Sequence, residues 1–270
     1  MAHARGISEA NRKLLELLHR QVHGPFAAAD ATRIWKADRT RAGRLLAHFA
    51  ARGWLTRVRR GTYSVVPLGA TSPADWREDP WLVAMDAFEP CYLGGWTACA
   101  HWELTEQIFR DVLVFSARNL SRRRYEIQGT IFRVKVVAPD RMFGLASVWR
   151  GRSRVQVSDA SRTLVDVLAD PVVGGGMRHI CSVVTAYFES KARDDRKLID
   201  YASRLGNRTV FKRLGYLIEA LHVDAPDLIR ACRDLMSKGV SVLDPALPRR
   251  GPMLSRWRLR LNAHITEEKT

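Results

Sequence analysis

The sequence predicts an α+β protein in two unequal parts, and three observations predict it. Residues 1–67 hold three short helical patterns followed by one hairpin that alternates apolar and basic positions. Residues 81–270 mix strand patterns with helices and turn mostly helical after Met177. The charge is uneven: residues 1–70 carry 13 Lys/Arg against 4 Asp/Glu, net +9, while residues 71–270 carry 31 against 24, net +7.

These observations bound the function. The chain has 270 residues, a net charge of +16 and 46% hydrophobic residues. The apolar content is ample for a core and excludes a disordered tail. The basic excess favours a polyanionic partner: DNA, RNA or an anionic membrane. There is no charged-then-apolar leader and no apolar run long enough to span a bilayer, so the protein is expected in the cytoplasm, without a membrane partner. Cys91, Cys99, Cys181 and Cys232 form no CxxC pair. Buried, reduced thiols are expected rather than a zinc site or disulfides, and no metal or cofactor is expected.

The N-terminal elements follow in order. Ser8 can cap a helix whose Leu14, Leu15, Leu17 and Leu18 share one broad face. Gly24-Pro25 ends the next connection. Phe26 to Trp35, FAAADATRIW, is Ala-rich and predicts a short second helix. Lys36-Ala37-Asp38 is a tight break, with Asp38 the N-cap of a third helix. On that helix Ala42, Leu45, Leu46 and Phe49 make an apolar stripe at i, i+3, i+4 and i+7. Arg41, Arg44, His48 and Arg52 lie together on another side, and Thr40 and Gly43 flank the opening turns. A solvated face normally mixes signs; this one contains no acid.

The stretch GWLTRVRRGTYSVVP predicts a hairpin turning at Arg60-Gly61. Arg59 then faces Thr62, Val58 faces Tyr63, Arg57 faces Ser64 and Thr56 faces Val65. One face would hold Thr56, Val58, Tyr63 and Val65 and pack on the helices. The other, with Arg57, Arg59, Thr62 and Ser64, would be basic and wet. Three helices and a basic hairpin make a winged helix-turn-helix. Its third helix enters a major groove, and its wing meets phosphates or a minor groove. The candidate DNA contacts are Arg33, Lys36, Thr40, Arg41, Arg44, His48, Arg57, Arg59, Arg60 and Thr62.

Residues 68–80, LGATSPADWREDP, read as a linker, so the expected domains are 1–67 and 81–270. Beyond the linker, helices are expected at Trp81 to Phe88, after Gly94-Gly95, and after Ser158-Asp159. Strands are expected at DVLVF (111–115), RYEI, TIFRVKVV (130–137), RVQV (154–157) and RWRLRLN (256–262). This makes an α/β domain with a mixed sheet and several helices. Arg122, Arg123 and Arg124 between strands are a solvated loop or a second phosphate contact. Catalytic signatures are poor, and no enzyme is expected. Gly174 to Gly176 lacks the Lys-Ser/Thr of a phosphate-binding loop and reads as a helix-start loop. His101 beside Trp102 reads as a packed histidine. Asp111 and Glu126 only faintly resemble nuclease acids on adjacent strands. Arg162 and Asp166, at i and i+4, read as a helix ion pair.

The assembled order resembles the AbiEi antitoxins of type IV toxin–antitoxin systems. The resemblance rests on RLLAHFAARGWLTRVRRGTYSVVP, then YLGGWTACAHWELTEQIF, then VSDASRTLVDVLADPVVGG, then a late RLG and RWRLRLN. It implies an N-terminal winged helix joined to an α/β antitoxin domain. It also implies binding to repeats in double-stranded operator DNA, autorepression, and antagonism of a cognate nucleotidyltransferase toxin without a stable complex. Two other readings fit the residues: a transcription factor with a ligand-sensing C-terminal domain, and a DNA-processing enzyme.

Overall fold

The computed structural model describes residues 7–265 except 68, 71 and 73. The chain is α+β, and it divides into two compact units. Unit 1 comprises Met1–Pro90 together with Arg124–Phe132 and Val148–Val155. Unit 2 comprises Cys91–Arg123, Arg133–Ser147 and Gln156–Thr270.

Unit 1 begins with α1 (Glu9–Gln21), where the Ser8 hydroxyl accepts from the Asn11 amide at 3.4 Å. Leu15 and Leu18 are buried and Leu14 half-buried. Leu17 is not part of that face: it lies to one side of the stripe and is exposed. Phe26–Ala27 are β1, not the first turn of a helix. Phe26 pairs with Tyr63 and Ala27 with Thr62, so a long-range ladder overrides the Ala-rich local preference. Helix α2 (Ala28–Trp35) follows and stops at Lys36, whose φ of 50° is left-handed. The Trp35 indole donates to the Leu14 carbonyl at 3.0 Å and meets Phe49 edge-on at 5.9 Å, tying α1, α2 and the next helix together. Asp38 caps α3 (Arg39–Ala51), accepting from the Arg41 amide at 2.9 Å.

Strands β2 (Leu55–Arg59) and β3 (Thr62–Val65) turn at Arg60-Gly61, and the small sheet has the order β1-β3-β2. The register differs from the expected one. Arg59 faces Thr62, but Arg57 faces Tyr63, Thr56 faces Ser64 and Leu55 faces Val65. The shift falls at Val58, an extra residue in β2 that buries its side chain between two exposed arginines. Thr62, Tyr63 and Ser64 are all buried. β3 is the middle strand, and the Ser64 hydroxyl donates to Glu78. The expected wet face of Thr62 and Ser64 therefore does not form.

Residues 78–90 belong to the same unit. Helix α4 (Pro80–Phe88) starts at Asp79, which accepts from the Trp81 amide at 2.7 Å. Gln128 joins the pieces: its amide nitrogen donates to the Thr56 hydroxyl at 3.3 Å, and its carbonyl accepts from the Glu78 amide at 3.1 Å. Phe88 packs on Tyr125 and Phe132. A boundary at 67–81 thus falls inside a compact unit. Of the expected linker, residues 68, 71 and 73 lie outside the described residues.

The larger sheet contains β4 (Cys91–Leu93), β5 (Val112–Ser116), β6 (Arg124–Ile127), β7 (Thr130–Val136), β8 (Leu145–Arg150) and β9 (Ser153–Ser158). Its order is β6-β7-β5-β4-β9-β8. It is mixed: β4 runs antiparallel to β5 and parallel to β9. Neither β4 nor β8 was expected. Between β4 and β5 lies α5 (Gly95–His101). Helices α6 (Ala160–Ala169), α7 (Met177–Glu189), α8 (Asp195–Leu205), α9 (Thr209–Ala220) and α10 (Pro226–Leu235) complete unit 2 with β10 (Ser241–Val242), β11 (Met253–Leu254) and β12 (Leu259–Arg260). Helix α6 is central, with all but Ala169 buried. Trp257 is fully buried against Gly215 of α9, where an added Cβ would lie 2.1 Å from the ring. Trp257 closes a single 3-10 turn, and Arg258 has φ of 50°, so the expected strand 256–262 shortens to two residues. All four cysteines are buried.

Candidate nucleic-acid interface

Helix α3 presents the basic side chains. At about 100° per residue, the direction opposite the buried Ala42, Leu46 and Phe49 is taken by Thr40, Arg44, Ala47 and Ala51. Arg41 and His48 stand on one flank and Gly43 on the other. All seven are exposed, as are Arg39 and Arg52 at the two ends. The only acid at this helix is its own cap: the Arg41 amide donating to Asp38 holds that carboxyl below the usual range. The small Thr40, Ala47 and Ala51 share the centre line with Arg44, and Arg41 and His48 flank it, an arrangement that suits close approach to a groove. Arg39, exposed at the N-terminal end of the helix, was missed, although RTRAGR shows it in the same acid-free run.

Gly43 faces open space, with no atom within 4 Å of an added Cβ. Gly43→Ala is therefore expected to stabilise the protein by about 0.5–1 kcal/mol through lower unfolded-chain entropy. Chemical denaturation measures it, and a destabilised variant would contradict the open-face assignment.

The other candidates divide. Arg33 is exposed but ion-paired with Asp30 at 2.7 Å within α2. Lys36 is exposed at the left-handed break. Arg57 is exposed over the Tyr63 ring, 5.6 Å from its centroid, and its guanidinium donates to the Tyr63 hydroxyl at 3.4 Å. Arg60 is exposed at the hairpin tip. Arg59 has a partner: Nε donates to Asp86 Oδ2 at 2.9 Å, and Nη2 to the Asp86 carbonyl at 3.3 Å. Thr62 is buried and is withdrawn as a surface contact. Arg122 and Arg123 are exposed just before β6 and Arg124 is exposed as its first residue, with Arg123 donating to the Leu120 carbonyl at 2.6 Å. Asp86 was missed because it lies 27 residues from Arg59, with no local signal.

Unit 2 holds a different site. A cavity of about 580 Å³ is lined by Tyr92, Lys135, Arg141, Arg162, Asp166 and Asn207 beside Phe115 and Leu205. Lys135 donates to Asp170 at 2.6 Å. Burial pushes the Asp166 carboxyl up against the pull of Arg162, and Tyr92 well above its ordinary value. Asp111 is tied to Arg133 at 2.6 Å. The glycine run opening α7 offers no anion cradle, since the Asp244 carboxylate already accepts from the Met177 amide at 3.3 Å. Burial lowers His179, whose ring meets Phe109 edge-on. Among the described residues no group of three or more His, Cys, Asp or Glu is placed to hold a metal, and no helix is long and apolar enough to cross a membrane. No protein-family model matches the chain, and no curated protein does.

Proposed function

We propose that residues 7–66 are a winged helix-turn-helix that binds operator DNA, and that the chain is an autorepressing antitoxin of the AbiEi kind. The carrying observation is the exposed, acid-free outer face of α3 with Arg41, Arg44 and His48. The β2–β3 hairpin is the wing, with Arg57 and Arg60 facing phosphates. In this reading Arg41 and Arg44 read base edges, while Lys36 and Arg39 hold the backbone. Arg122 to Arg124 are further candidates for phosphate. Unit 2 then carries control of a nucleotidyltransferase toxin encoded beside it, in keeping with the resemblance.

The test is a gel-shift titration against the chain's own promoter duplex and a scrambled duplex of equal length. Preference for the promoter is expected, and equal affinity for both would remove the operator-binding reading. Growth rescue on co-expression with the neighbouring toxin tests the second half; no rescue by a folded, expressed chain removes it. The unit 2 cavity favours one other reading, a ligand-sensing regulator. That reading requires promoter affinity to change with a small molecule.

A further inference from the structure

Arg59 stands next to the wing tip, where an arginine would add a phosphate contact. In the free chain its guanidinium is instead clasped by α4. Nε meets the Asp86 carboxylate, and Nη2 meets both that carboxylate and the Asp86 backbone carbonyl. Each group has a reason to be held. Asp86 lies in the last turn of α4, which contains no basic residue, where a negative charge opposes the helix dipole. Its carbonyl is among the last four of the helix, which lack intrahelical partners. Arg59 answers both. The neighbouring strand is fixed as well, because the Gln128 side chain donates to the Thr56 hydroxyl and the Arg57 carbonyl. The arginine cannot follow a phosphate through a shift of the wing without breaking these bonds.

We propose that Asp86 withholds Arg59 from DNA phosphates and so sets how strongly the wing binds DNA of any sequence. The Asp86 carboxylate occupies the position of a phosphate oxygen against the guanidinium fork, a geometry that carboxylates and phosphates share. One cation fewer is then available for release of condensed counterions. The consequence is specificity: sequence-independent affinity falls, while base contacts from α3 are untouched. This inference rests on the DNA-binding reading of the unit.

The experiment is a salt titration of binding to a scrambled duplex, with folding of every variant checked by circular dichroism and thermal melting. Asp86→Asn keeps the shape and removes the charge. It is expected to steepen the slope of log K against log salt by about 0.9, the value of one additional phosphate contact. It should also narrow the preference for promoter over scrambled duplex. Arg59→Ala alone is expected to leave the slope at the wild-type value, since Arg59 contributes no phosphate contact while it is held. Added to Asp86→Asn, Arg59→Ala should return the slope to wild type. A folded Asp86→Asn variant with the wild-type slope would overturn the inference. So would Arg59→Ala flattening the slope by a full unit in the presence of Asp86, an arm that decides even if Asp86→Asn fails to fold. Absence of duplex binding by the wild-type chain would instead overturn the DNA-binding reading, and this inference with it.

Discussion

Arg162→Met is expected to destabilise unit 2 by about 3–5 kcal/mol, the cost of breaking a buried pair from one side. Arg162 and Asp166 are 1% and 4% exposed, in the first turn and near the middle of the central helix. Arg162 donates from Nε to Asp166 Oδ1 at 2.9 Å, from Nη1 to the Phe143 carbonyl at 3.0 Å, and from Nη2 to the Tyr92 hydroxyl at 3.2 Å. The Tyr92 hydroxyl donates to Asp166 Oδ2 at 3.1 Å, closing the network. Methionine fills much of the aliphatic stem's volume but leaves the carboxylate without its cation. The companion variant Arg162→Met, Asp166→Leu removes both charges and is expected to recover most of the loss. Urea denaturation of the two variants separates the causes. If the double variant is no more stable than the single one, the cost is packing rather than stranded charge. The pH dependence follows from the raised Asp166 carboxyl. A carboxyl that binds its proton more tightly in the folded state loses stability as pH rises through the interval between its unfolded and folded pKa. Removing Arg162 pushes the folded value further up. The single variant should therefore regain stability on acidification over a wider range than the wild type.

The legible parts of this fold are those governed by neighbours in sequence. The α3 cap, its apolar stripe and its acid-free side all follow from residues within one helix, and the structure has them where the spacing puts them. The caps Ser8 and Asp159 and the i, i+4 spacing of Arg162 and Asp166 were legible for the same reason. What was not legible depends on distant chain. The two-residue strand at Phe26 exists because β3 offers it an edge. The alternation of β2 and β3 was visible, but a bulge at Val58 moves the register by one, and being a middle strand buries Thr62. The burial of the Arg162–Asp166 pair has no linear signature either. The same holds for unit 1, which gathers Arg124–Phe132 and Val148–Val155 from far along the chain. Composition marks charge and turn formers. It does not mark Gln128, whose amide bonds to Thr56 and Glu78 make the expected linker part of a packed unit.

The remaining large effect concerns recognition. On the operator-binding reading, Arg41→Ala and Arg44→Ala are each expected to reduce the preference for promoter over scrambled duplex by about 1–3 kcal/mol, the range for an arginine paired with a guanine edge. The two residues are three apart on α3, so their guanidinium groups project from adjacent turns of one exposed side. Among the described residues neither guanidinium is in an ion pair, and the Arg44 charge acts on the Asp38 cap only at longer range, after the backbone hydrogen bonds that hold that carboxyl low. Both are therefore available to bases without first breaking an internal pair, unlike Arg59. Arg60→Ala provides the contrast. It should weaken binding to promoter and scrambled duplex alike and flatten the salt slope by about 0.9, as expected for loss of one phosphate contact. The two kinds of contact separate when each variant is titrated against both duplexes at several salt concentrations. If Arg41→Ala and Arg44→Ala keep the wild-type preference and change only the salt slope, α3 is a backbone contact. Sequence reading would then have to come from elsewhere in unit 1.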